Sequence, residues 1–445
     1  PYFTPTTAID EGDRTASIAN TADDPIFATY RGNVGTSTPI SGRVLSYALP
    51  LASGRYDVRL YFAERAHTST GKRLFDIEAE GSVLRDDFDL FAAAGGTNTA
   101  TILPLKGVAV TDGTLNLVFR TEVDFAAING IEILPATAAP QPTEATYTTV
   151  SWTTAAPSPH PNSEAQGTTV DGKIYFFGGF SPCCVPTGRS YVFDPVANSW
   201  TALTAMPTPA THAGVAADGR NIYIAGGYIA NSTNTGQIFG TKQVWRYNID
   251  SNAWTRMPDL PVERSAGSMV VLGRELHYIG GTNLSRTMDV GDHYVFNIDS
   301  GTAWTTRAPL PNPRHHAGAV VLNGKIYFVG GQHGHDAASV TENDVHAYDP
   351  AANAWTQMAD LPKARSHMAN STVVHGGRIV VMGGEVAHST HMADVTAYSP
   401  SKNAWTALTP LPQTRNSGVG GVVSGVLYML TGSNTTTTYK GTPGN

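Results

Sequence analysis

Glu164, His212, His316 and His367 hold one position of a repeat about 50 residues long. Ala266 and Ser417 fill the same position in the other two repeats. A carboxylate and three imidazoles converging on one point are suited to general acid–base work. They are equally suited to holding a divalent metal, since imidazole and carboxylate are good ligands for such ions. Two residues earlier the repeats carry Asn162, Ala210, Arg264, Arg314, Arg365 and Arg415. Four successive guanidinium forks around a common mouth would bind a carboxylate or sulfate bidentately. The competing reading of that column is hydrogen bonding to the backbone of neighbouring repeats. His333 and His335 form a short His-Gly-His-Asp cluster that adds two metal-ligand candidates. Cys183 and Cys184 are adjacent and are the only cysteines; joined as a vicinal disulfide, they would offer a flat apolar face to a sugar ring.

The ruler behind these columns is tryptophan. Trp152, Trp200, Trp254, Trp304, Trp355 and Trp405 recur at steps of 48, 54, 50, 51 and 50 residues. Glycine pairs keep the same beat at Gly178-Gly179, Gly226-Gly227, Gly280-Gly281, Gly330-Gly331 and Gly383-Gly384, with Thr431-Gly432 in the sixth place. A period of that length marks a radial or solenoid array. Each unit reads as four short strands, and an aromatic-polar pair such as Tyr348-Asp349 precedes each later Trp. The Trp152 segment has no strands of its own unit before it, and no Trp follows Thr431-Gly432. Residues 146–154 are therefore expected to supply the outermost strand of the last unit, closing a ring. The large aromatics fill the wedges between units and are core. The loops after the glycine pairs, and those leading into each first strand, share one face and carry the irregular sequence; nine of the 14 histidines fall there.

Upstream of residue 136 the pattern changes. Alternating runs such as Arg55–Phe62, Leu74–Glu78 and Leu115–Phe119 are separated by turn signals such as Asp112-Gly113, as in a β-sandwich. Residues 136–145 are rich in Pro, Ala and Thr and read as a linker. The expected organisation is a sandwich over 1–135, a linker over 136–145 and a six-unit ring over 146–445, an all-β chain throughout.

Two resemblances sharpen this. The runs YDVRLYFAE, GKRLFDIEAEG, DDFDLFAAAGG, TDGTLNLVF and INGIEIL, in that order, make the first segment similar to the malectin-like carbohydrate-binding family. That resemblance implies glycan binding by loops at one end of the sandwich, with Asp124 as a ligand-binding carboxylate and Tyr30 and Tyr47 as aromatic contacts. Where animal malectin has an aromatic pair after the Ala63-Glu64 position, this chain has Ala66 and His67, so His67 joins the ligand-binding candidates. The repeat region resembles the kelch repeat, by its double glycine, its Tyr-Asp and its Trp. This implies a six-bladed β-propeller closed by an N-terminal outer strand.

Charged residues are 15% and the formal net charge is -7, which argues against nucleic acid, whose phosphates need clustered cation. No run of 18 apolar residues spans a membrane. The opening Pro1-Tyr2-Phe3 and the low Lys content fit a mature secreted bacterial product, placed outside the cell, at its surface or in the periplasm. The functional expectation is a secreted protein that binds polysaccharide or oligosaccharide. The alternative is a carbohydrate-active enzyme working at the propeller mouth, either a lyase or epimerase on acidic sugars or a metal-dependent oxidase. An oxidase like galactose oxidase would need a crosslinked cysteine–tyrosine pair and a further C-terminal domain, and a protein-interaction scaffold would need a companion domain; neither is seen.

Overall fold

The computed structural model describes residues 9–11, 18–21, 24–27, 30–32, 41–110, 112–135, 144–181 and 183–444. Two compact units make up the chain, Pro1–Pro140 and Gln141–Asn445. The extreme N-terminus and most of the expected linker, 136–143, lie outside the described residues.

The first unit is a β-sandwich. One sheet orders its strands Val44–Pro50, Thr114–Val123, Leu74–Ala79 and Ser82–Asp89; the other orders Gly130–Pro135, Gly54–Glu64 and Thr99–Val110. Alternation along these strands sends Val58, Leu60 and Phe62 from one sheet, and Leu115, Leu117 and Phe119 from the other, into a common core. Phe62, Phe75, Phe88 and Phe119 meet there with ring centroids 5.4–6.3 Å apart. A three-stranded ribbon of Ile9–Glu11, Tyr30–Gly32 and Ala127–Ile128 completes the unit.

The second unit is a propeller of six four-stranded antiparallel blades. Blade one uses Gln166–Val170, Lys173–Phe177, Ser190–Asp194 and Ser199–Ala202. The pattern recurs until the last blade, which comprises Val419–Val423, Val426–Leu430 and Thr438–Gly444, with Thr149–Ala155 as its outer strand. Thr149 pairs with Gly444 and Ala155 with Thr438, so the expected closure is present. The six innermost strands contact one another in succession and the last meets the first. The unit starts slightly before residue 146. Ala145 N–H donates to Gly376 O at 2.8 Å, and the Glu144 carboxylate accepts from Ser399 Oγ and the Ser401 N–H. These two linker positions are thus part of the propeller.

The tryptophans staple the ring. Each indole N–H donates to a main-chain carbonyl of the preceding segment at 2.8–3.1 Å, ending with Trp152 to Thr409 O across the closure. The five from Trp200 to Trp405 also pack on the aromatic of their pair, as Trp355 does on Tyr348 at 5.1 Å, while Trp152 lies over Gly441. The glycine pair has a steric reason. A Cβ on Gly178 would meet Ala210 O at 2.1 Å, and one on Gly383 would meet Arg415 O at 2.3 Å. The second glycine of each pair donates its N–H to that same carbonyl of the next blade, for example Gly281 to Arg314 O at 3.1 Å. Among the described residues, no helix is long and apolar enough to cross a membrane.

Candidate functional site

The loops after the glycine pairs enclose a cavity of about 440 Å³ at one mouth of the propeller. Glu164, His212, His316, His367 and Ser417 line it, as the repeat register leads one to expect. Backbone geometry explains the convergence. Glu164, His212, Ala266, His316, His367 and Ser417 all have left-handed φ, between 53° and 55°. Several pass a hydrogen bond from one blade to the next, as Ser417 N–H does to His367 O at 2.7 Å and His316 N–H to Ala266 O at 2.9 Å. A left-handed conformation in a non-glycine residue costs about 1–2 kcal/mol, and such strain gathers where function demands it.

Glu164 sits between two imidazoles. Its Oε2 is 3.6 Å from His212 Nε2, and its Oε1 is 3.6 Å from His367 Nε2. Ser417 Oγ donates to Oε1. Burial alone would raise the Glu164 carboxyl, but His212, His367 and the Ser417 hydroxyl outweigh it and hold it below its ordinary value. His316 closes the group, its ring centroid 5.0 Å from that of His212 and 4.2 Å from that of His367. Burial pushes His212 down to about 4, with Glu164 pulling the other way, and pushes His316 well below the ordinary histidine value. Neutral imidazoles around a carboxylate leave ring lone pairs free for a proton or a metal.

Other mouth residues were not singled out by sequence. Glu385 faces His367 Nδ1 at 3.2 Å and accepts from Asn416 Nδ2 at 3.2 Å. Tyr228 stacks on His212 at 4.2 Å. Arg286 lines the cavity, pairs with Asp336 at 2.9 Å and lies over the Phe239 ring at 4.7 Å. Phe180, Tyr228, Gln332, Glu385 and Ser433 each follow a glycine pair directly, or its sixth-blade counterpart, and each lines the cavity. That column was the missed signal; its members share a place in the repeat and no chemical type. Cys183 and Cys184 are exposed on the cavity wall and are joined to one another. His388 and His391 also line the wall, whereas His333 stands behind it, 3.1 Å from Asp289.

The arginine column departs from the mouth. Arg314 and Arg365 are wholly buried and Arg415 nearly so. Arg314 donates to the carbonyls of Gly330 (2.6 Å), Asn312 (2.9 Å) and Asp344 (3.2 Å). Arg365 donates to Gly383 O and Asp394 O, each at 3.2 Å. Arg415 reaches Thr414 O at 2.8 Å and Tyr439 Oη at 3.3 Å, and Arg264 is neutralised by Asp292 at 2.8 Å. None lines the cavity. The expected anion-binding ring is corrected, and so is the reach to neighbouring repeats: each fork fastens its entry segment to carbonyls and side chains of its own blade.

In the sandwich, Asp124, at φ 57°, meets His67 Nε2 at 2.7 Å and Arg73 Nη2 at 3.2 Å, both through Oδ2. Tyr30 is stacked on Phe125 with centroids 5.9 Å apart, and the Arg73 guanidinium lies over the same Phe125 ring, 4.2 Å from its centroid. Beneath them, wholly buried Glu64 receives Arg73 Nε at 2.7 Å and the N–H groups of Ala66 and His67. Tyr47 does not join this cluster. It is buried in the sandwich core, edge-on to Phe119.

Known proteins agree with both units. The model for the KLHDC2/KLHL20/DRC7 Kelch-repeats domain matches residues 141–281 and 212–432, and the Malectin domain model matches residues 2–140. Kelch-like protein terF of Aspergillus terreus is 29% identical over 245 residues, covering 54% of this chain and 53% of that protein. Alpha-scruin of Limulus polyphemus is 28% identical over 234 residues, covering 51% of this chain and 20% of that protein. The chain thus spans about half the length of the first relative and a fifth of the second. A solved structure titled "Structure of YjhT" superposes with a TM-score of 0.54 at 17% identity, covering 64% of this chain and 95% of that one, a likeness of fold. With the repeat model matched over most of its length, the chain belongs to the kelch-repeat family, its propeller preceded by a malectin domain.

Proposed function

We propose that this is a polysaccharide-binding protein acting outside the cytoplasm, with its glycan site on the malectin domain. A malectin domain implies carbohydrate binding. The observation that carries the finer reading is the Tyr30–Phe125 stack beside Asp124. An aromatic face takes the apolar side of a sugar ring. His67 and Arg73 occupy Asp124 Oδ2, which leaves Oδ1 as the oxygen to accept a sugar hydroxyl. A glycan array of neutral and acidic polysaccharides tests this with the parent chain, Phe125→Ala, Asp124→Asn and Arg314→Ala. Loss of binding in the first two and retention in Arg314→Ala is the expected result. Binding unchanged by Phe125→Ala and Asp124→Asn refutes the site.

A second reading concerns the propeller mouth, favoured by Glu164 with an imidazole on each carboxylate oxygen. Glu164, His316 and His367 offer ligand atoms all within 4.8 Å of one another. That donor set fits a divalent transition metal, with His212 adjoining it. In this reading the residues bind the ion, or move a proton, against a sugar held in the cavity. Metal analysis of the purified chain tests it, and a metal-free chain that takes up no added Co²⁺ removes the metal part. The acidic-sugar version loses its main support with the burial of the arginine column.

A further inference from the structure

His315 and His316 are neighbours in the chain but belong to different groups of potential ligands. Glu164, His316 and His367 form one; Asp289, His315 and His335 form the other, again with ligand atoms within 4.8 Å of one another. Of the second group, only His335 lines the mouth cavity. His315 is wholly buried. Its Nε2 lies 3.2 Å from Asp289 Oδ1 without the alignment of a hydrogen bond, and no other described group satisfies it. The opposite oxygen of Asp289 is held by the Gly334 N–H at 3.2 Å and by His333 Nδ1 at 3.1 Å. The His315 ring stacks on His335 at 4.3 Å. A buried, unsatisfied ring nitrogen beside a fixed carboxylate oxygen is a pair of donors that one cation can bind.

The two groups are linked by a nitrogen-to-nitrogen contact between His315 Nδ1 and His316 Nδ1. Two neutral imidazoles meet in this way only with a single proton between them, since two bare lone pairs repel and two N–H groups clash. The ring that donates through Nδ1 has a bare Nε2 and can ligate. The ring that accepts keeps its proton on Nε2 and cannot ligate there.

We propose that Asp289, His315 and His335 form a second position for a divalent transition metal, and that the proton shared by His315 and His316 lets the two groups hold one ion between them rather than two. This rests on the metal reading of the mouth given above. Two imidazoles and a carboxylate suit Zn²⁺, Co²⁺ or Ni²⁺ better than Ca²⁺ or Mg²⁺, which prefer an all-oxygen shell. Because His335 reaches the cavity, an ion at the second position remains open to a ligand from the mouth.

The test uses the full chain, stripped with a chelator and loaded with Co²⁺. Bound metal is counted by mass spectrometry after desalting, and its surroundings are read from the cobalt absorption spectrum. About one ion per chain is expected for the parent. Glu164→Gln and Asp289→Asn should each still bind about one ion, with cobalt spectra that differ from each other. The double variant should bind roughly 100-fold more weakly or worse, since even outer-shell partners of a metal ligand are worth about 10–100-fold. His335→Ala serves in place of Asp289→Asn if that chain fails to fold. Two ions per chain in the parent overturns the exclusion. Loss of all binding in Glu164→Gln overturns the second position while sparing the mouth. No ion in the parent overturns both readings.

Discussion

Replacing Arg314 by alanine decides whether the arginine column binds ligand or holds each blade to its own entry segment. The side chain is wholly buried and its fork serves the carbonyls of Gly330, Asn312 and Asp344. Its guanidinium also lies 5.0 Å over the Phe328 ring. Burial lowers its pKa to about 10, so the charge is held at a cost that the carbonyls and nearby acids only partly offset. A hydrogen bond to a charged group is worth about 1.5–3 kcal/mol net, and each acceptor left buried and unpaired costs about 1–3 kcal/mol. The alanine variant also leaves a cavity. Subtracting the relieved desolvation, we expect a loss of about 3–5 kcal/mol. For a unit of this size about 2 °C is lost per kcal/mol, so the propeller transition should fall by roughly 6–10 °C. Differential scanning calorimetry on the whole chain reads this, because the malectin transition should stay in place. Arg314→Lys, which keeps the charge and loses the fork, should fall between the two. A shift under about 2 °C, together with lost glycan or metal binding, would refute the reasoning and return Arg314 to the ligand.

Three other outcomes are expected. His212 and His293 are pushed down to about 4, and His277 and His335 to about 3, each chiefly by burial. The unfolded chain, with histidines near 6.5, therefore takes up protons that the native propeller refuses. Propeller stability should fall as pH drops from about 6.5 towards 4, and denaturant midpoints at several pH values will show whether it does. In the malectin domain, burial alone would raise Glu64, but Arg73 and the N–H groups of Ala66 and His67 hold it below its ordinary value. Its contribution is present above the unfolded value of about 4.3 and is lost as pH falls through the lower native one. Glu64→Gln should cost up to about 3–5 kcal/mol at neutral pH, measured by urea unfolding, because Arg73 is left buried with only Asp124, which it shares with His67, as counter-charge. Ala266→Gly, at a left-handed position with a buried methyl, should stabilise the propeller by up to about 1 kcal/mol in the same assay.

Much of this was legible because a repeat amplifies weak signals. The period of the tryptophans set the blade register, and that register alone aligned Glu164, His212, His316 and His367 from segments far apart in sequence. The same periodicity misled at the arginines. A residue recurring in one place of a repeat can answer to a need that every blade repeats within itself, and Arg314 and Arg365 do so by fastening their entry segments to their own blades. The mouth residues that differ from blade to blade, Tyr228, Gln332 and Glu385, were hidden because the eye follows type before position. Asp289 lies in a loop whose length is not shared, so no register reached it. Tyr47 was within reach of a stricter argument: in Val44–Pro50 it stands two residues from Leu45 and so on the same face, and that face is the core.

The closure strand has a consequence for how the protein is made. Thr149–Ala155 is synthesised before any complete blade, yet its partner strand ends at Gly444. At about 5–20 residues per second, the roughly 290 residues between them take about 15–60 s to appear. For that interval the segment TVSWTTA has no edge to join, while the five blades between assemble from local pairings. Its composition suits the wait. Thr and Ser on the outward positions keep an unpaired strand from being a greasy template for a neighbouring chain. Trp152 is the exception, a large aromatic exposed until Thr409 arrives to accept its indole N–H. The nascent ring is thus most prone to self-association just before it shuts.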